Sequence, residues 1–203
     1  VTLIVVSLEV PETFRELAAN MRGFIGFAIC FVLMMLIWFD QYMYFRKYGL
    51  QDVRTIFLNS VLLFVVLFYV YPLKFLFSFL TQGNQIIKEN GEIINRFTKG
   101  KEINELMMIY GAGFVIIYTI FLLMHRHALT KKDELQLNSL EIFNTRSAMF
   151  GNISMICIGI LSIGLAFTGS LINNTFSLFS GLSYALIGPA LSLVYRYRMK
   201  RMK

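Results

Sequence analysis

The sequence predicts an all-α polytopic membrane protein with six transmembrane helices per subunit, the first truncated at Val1. Three observations carry this. Hydrophobic residues make up 57% of the 203 positions, charged residues only 15%, and Phe occurs 20 times. A water-facing domain is about 25% charged. Five complete apolar runs follow a partial one, each near the ~20 residues that cross a bilayer. Finally, Lys and Arg are shared unequally between the connections, as membrane orientation requires.

The partial run, VTLIVVSLEV, stops at Pro11 after about half a span. It lacks the basic start and small-residue cleavage site of a signal peptide, and Glu9 lies at its end. The expectation is that the first half of this helix precedes Val1. The complete runs cover 23–45, 55–80, 106–124, 147–168 and 171–195. Backbone polar groups in hydrocarbon must pair within the segment, so these are helices; a β-barrel would show ~10-residue alternating stretches instead. Residues 1–203 read as a single transmembrane domain.

With both termini cytoplasmic, the inner side holds 12 of the 19 Lys and Arg residues. The tail YRYRMKRMK decides the orientation and reads as a stop-transfer anchor against anionic lipid rather than a nucleic-acid contact. The polar connection 82–105 carries Ile86, Ile87, Ile93, Ile94 and Phe97 at near-helical spacing. It predicts one or two short amphipathic helices on the outer surface.

Polar side chains inside spans are costly and therefore informative. In the first helix, Thr2 and Val6 share a face, with Leu3 beside them. A hydroxyl can replace part of an ion's hydration shell, and branched side chains can form a constriction; Thr2 bonding its own helix is the plainer reading. Asp40 and Gln41 near the inner end of the second helix are expected either to snorkel and pair with Arg46 and Lys47 or to brace another helix. Trp38 fits an interface belt or an inter-helix wedge. Asn59 is expected to bond across helices, and Pro72 and Pro189 to kink theirs.

His125 and His127 point to different faces, with no Cys or carboxylate near in sequence, so a metal pair is disfavoured and a juxtamembrane surface favoured. The glycines of YGAGF sit within a span, unlike a potassium filter on a re-entrant loop, and suit close helix packing. Cys30 and Cys157 lie deep in apolar runs and read as small hydrophobes. No nucleophile elbow, phosphate loop or zinc spacing is present. An enzyme is not expected, nor a metal or other cofactor.

The order TLIVVSLEVP, FAICFVLMMLIWFDQYMYF, RKYGLQDVR and FLNSVLLFVVLFYVYPLKFL resembles the bacterial branch of the transmembrane protein 175 family of potassium-permeable channels. Thr2, Leu3, Val6, Glu9 and Pro11 match the second half of that family's first helix. Trp38 matches the Trp of its second helix, and Asn59 and Pro72 the Asn and Pro of its third. Two departures stand out: the family's Phe-Ser-Asp is absent, and Gln41 replaces a His three residues after the Trp. The resemblance covers about the first 80 residues.

The resemblance implies a homotetramer in a bacterial inner membrane, with the first helix of each subunit lining a central pore for potassium ions. Thr2 would form the hydroxyl layer that favours potassium, Leu3 and Val6 the apolar constrictions, and Glu9 a cation-attracting outer mouth. Trp38, Gln41 and Asn59 would brace the helices. The alternative is a small secondary cation transporter or exchanger, which calls for paired intramembrane carboxylates or broken helices near the midplane. Asp40 alone meets that demand, off-centre.

Overall fold

The computed structural model describes residues 14–82, 85–87, 93–95, 100–171 and 175–200. Thr2, Leu3, Val6, Glu9 and Pro11 lie outside the described residues. Helix α1 runs Phe14–Tyr48 and α2 Val53–Gln82. Strands β1, Gln85–Ile87, and β2, Ile93–Asn95, follow. Then come α3, Gly100–Thr130, α4, Ser139–Leu171, α5, Thr175–Leu182, a 3₁₀ turn, Ser183–Leu186, and α6, Ile187–Lys200.

Local chemistry sets the ends of these helices. Gly49 takes φ +59°, a left-handed conformation that costs glycine little, and its N–H bonds the Phe45 carbonyl at 2.9 Å to close α1. Arg46 and Lys47 in that last turn face the negative end of the helix dipole. Asn138 and Glu141 open α4 reciprocally: each side chain accepts the other's backbone N–H at 2.9 Å. The helices run past the apolar runs at both ends, because charged residues at the interface still favour helix.

Among the described residues, four helices are long and apolar enough to cross a membrane, through Ala28–Tyr48, Val53–Leu73, Glu102–Thr130 and Ser139–Leu171. The stretch expected as one sixth span is broken instead into α5, the 3₁₀ turn and α6, and Leu171 closes α4. Pro189 falls in the first turn of α6, where its missing N–H has no intrahelical partner to lose.

The outer connection also differs from expectation. Rather than amphipathic helix, Ile86 pairs with Ile94 and Ile87 with Ile93 in an antiparallel hairpin. Paired β-branched residues favour strands, and Asn90-Gly91 between them is a strong hairpin-turn signal. The helical spacing of those isoleucines was coincidental.

The core lies between α1, α2 and α3, around Tyr44, Leu62, Tyr69, Phe121 and Met124. α3 also packs closely on α4. A Cβ at Gly159 would lie 2.6 Å from Val115 Cγ2, and one at Gly111 would run into Ile163. Gly113 serves the other side of α3, where a Cβ would enter the Tyr69 ring. The YGAGF glycines thus let two helices approach α3 at once.

That geometry sets a test. Tyr69 cannot simply swing away, because its hydroxyl donates to the Tyr110 carbonyl. Gly113→Ala should therefore destabilise the fold by about 1–3 kcal/mol. Gly164→Ala, with nothing within 4 Å, should be neutral or mildly stabilising. Thermal unfolding of the two purified variants compares them, and equal midpoints would contradict the packing described.

Candidate functional site

Gln41 and Asn59 face each other across α1 and α2, both half-buried. The Gln41 amide N–H donates to Asn59 Oδ1. In hydrocarbon neither amide has water to turn to, so the bond ties the middle of α2's first turns to the inner half of α1. Trp38, one turn before Gln41, points elsewhere. It is 52% exposed and stacks on Tyr42 with centroids 5.6 Å apart. It does not wedge between the described helices.

Asp40 does not join Arg46 or Lys47. The ion pairs among the described residues are His127–Asp52 and Lys131–Glu134. Lys47 donates instead to Thr145 Oγ1 at 3.4 Å and lies 5.0 Å from the Tyr48 ring centroid. Tyr48 and Thr145 are 2.7 Å apart. The Thr145 hydroxyl already donates to the Glu141 carbonyl at 2.6 Å, so Tyr48 is the donor to Thr145. This chain of bonds fastens the end of α1 to the start of α4.

A second fastening was not anticipated. His127 is buried, 8% exposed, rather than at a juxtamembrane surface, and its Nε2 lies 2.8 Å from Asp52 Oδ2. The carboxylate that seemed missing near the histidines is 75 residues away in sequence. Asp52 stands just before α2, where an acceptor suits the helix N-terminus. Its Oδ1 accepts from Thr55 Oγ1 at 2.7 Å. That hydrogen bond, then the one from His127, with Lys131 nearby, holds the Asp52 carboxyl down at about 2.

The useful sequence signal was topological: the α2 start and the α3 end lie at the same end of the bundle, so a capping acid and a late histidine can meet. His125 faces another way. Its Nδ1 bonds the Phe121 carbonyl at 2.8 Å, and its ring meets Tyr44 and Tyr48 edge-on. Among the described residues no group of three His, Cys, Asp or Glu side chains could hold a metal.

The family model for the endosomal/lysosomal potassium channel TMEM175 matches residues 1–69, the stretch that contains Trp38, Gln41 and Asn59. A potassium channel from Marivirga tractuosa is 41% identical over 206 residues, covering 99% of this chain and 83% of the relative. The crystal structure of a threonine-to-alanine variant of the potassium channel MtTMEM175, in complex with a nanobody–MBP fusion, aligns with a TM-score of 0.82. The identity is 39%, over 98% of this chain and 87% of that one. A bundle of long apolar helices cross-linked by buried polar pairs defines a polytopic membrane protein. With a relative this similar over nearly its whole length, the chain belongs to the TMEM175 family of potassium channels.

The Asp52 site carries its own prediction. Its carboxyl lies below the ordinary value of 3.8, so the ionised form adds stability above about pH 4, and this is lost as pH falls toward about 2. Asp52→Asn should cost ~1–2 kcal/mol at pH 7. It should also flatten the stability decline between about pH 4 and 2. An unfolding series against pH that shows the wild-type decline unchanged in the variant would contradict this assignment.

Proposed function

We propose that the chain assembles as a homotetramer and conducts potassium ions passively through a central pore lined by its first helix, with both termini cytoplasmic in a bacterial inner membrane. The observation that carries this reading is the likeness, along nearly the whole chain, to a protein named as a potassium channel. Thr2 supplies the hydroxyl layer, Leu3 and Val6 the apolar constrictions, and Glu9 concentrates cations at the outer mouth. Four copies of one short polar face close into a ring around the axis.

In this reading the described helices are the scaffold that aims the pore helix. The Gln41–Asn59 bond makes α1 and α2 move as one unit, and Trp38, exposed on α1, is placed for a neighbouring surface. Where the family carries His, Gln41 keeps a donor for Asn59 but gives up the titratable ring. Six spans complete each subunit, with 171–195 as a broken sixth. A transporter would want a second carboxylate near Asp40, and the cavity that holds Asp40 is lined by no other.

Two variants of the full-length protein test the reading. Thr2→Val should keep conduction but lower potassium preference over sodium by about fivefold, the ~1 kcal/mol of one lost polar contact. Unchanged reversal potentials in a conducting variant would remove Thr2 from the selectivity layer. Asn59→Leu strands the Gln41 amide in hydrocarbon and should reduce tetramer yield, by about 1 kcal/mol of assembly stability. A normal yield on size-exclusion chromatography would dismiss Asn59 as a brace.

A further inference from the structure

A cavity of about 520 Å³ opens between α1, α3, α4 and α6, away from the Gln41–Asn59 pair. Its α1 wall carries Asp40, Tyr44, Lys47 and Tyr48, at the three- and four-residue spacing of one helix face. Tyr118 and Phe121 of α3 stand across from them. The volume is in the range of small-molecule sites.

The two charges on this wall are unequally satisfied. Lys47 lies at the end of α1, with Thr145 as hydrogen-bond acceptor and the Tyr48 ring beneath it. Asp40 lies seven residues earlier, about 10 Å deeper at helical rise. It is an exposed residue of α1 at the cavity's edge, with no hydrogen bond or ion pair among the described residues. An unpaired carboxylate at the edge of a largely aromatic cavity attracts a cation.

The walls decide which kind of cation. An inorganic ion needs several oxygen ligands around it. Among the described residues no group of three His, Cys, Asp or Glu side chains could hold a metal, and His125 alone of these joins Asp40 in the lining. Aromatic rings and one carboxylate are instead the recognition chemistry of an organic ammonium, whose charge is spread over alkyl groups. Lys47 at the inner end disfavours a second positive charge on the ligand.

We propose that this cavity binds an organic monocation of the arylalkylammonium class, its ammonium against Asp40 and its ring among Tyr44, Tyr118 and Phe121. One site exists per chain. The site touches α1, α3, α4 and α6, so an amine bound there acts on how these helices pack.

The test is equilibrium binding to the purified full-length protein in nanodiscs, read by titration calorimetry, so it does not depend on conduction. The probe is benzyltrimethylammonium, and the control is its uncharged carbon isostere, neopentylbenzene. Saturable binding at one per chain is expected, at least tenfold tighter than the isostere and at least tenfold weaker in Asp40→Asn. Should that variant fail to fold, Gly151→Leu decides. It fills the cavity from α4, where a Cβ meets only Leu191 Cδ2 at 3.5 Å, and should abolish binding. Affinity unchanged in either variant, equal binding of the isostere, or one site per four chains would overturn the proposal. So would displacement of the probe by decyl phosphate in a Lys47-dependent manner, which would make this an anionic amphiphile site.

Discussion

Tyrosine hydroxyls that cross from one helix to a carbonyl of another hold this bundle together. Tyr44 of α1 donates to the Met124 carbonyl at 3.0 Å. Tyr69 of α2 donates to the Tyr110 carbonyl, and Tyr110 of α3 donates back to the Pro72 carbonyl. Lipid gives apolar side chains no reason to leave it for a neighbouring helix, so close packing and polar bonds must supply the association. Each such bond is modest, on average ~0.6 kcal/mol in membranes. Their arrangement matters more than their sum. All three involve α3, and the glycines at 111 and 113 clear the space that α2 and α4 need to reach it.

One end of the bundle is fastened by a different chemistry. Where α1 meets α2, charged groups are used: Asp52 with Thr55 and His127, Lys47 and Tyr48 with Thr145. The short turn from Gly49 to Asp52 couples these two sets, since it joins the α1 end that grips α4 to the α2 start that grips α3. A displacement of α1 is therefore felt by every long helix described.

Much of this was legible in the sequence because the bilayer imposes it. The length of the four long helices, Asn59 as a polar group in an apolar run and the packing glycines follow from solvation and close packing. Local or long-range competition hid the rest. The isoleucines of the connection after α2 fit a helical period, yet they pair as antiparallel strands. The break at 183–186 lies within a run whose serines do not mark where the helix tightens, and Pro189 falls in the first turn after it. His127 found Asp52 only through the folding of two intervening helices. Asp40 had two cations within seven residues, and helix geometry gave one of them, Lys47, to α4 instead.

The central claim is passive, potassium-selective conduction, and bi-ionic recording tests it most directly. The full-length protein would be reconstituted in planar bilayers with potassium on one side and sodium on the other. Discrete single-channel steps, with a reversal potential displaced toward that of potassium, are the predicted result. Absence of steps, together with potassium uptake into liposomes that requires an opposing gradient of a second ion, would contradict it.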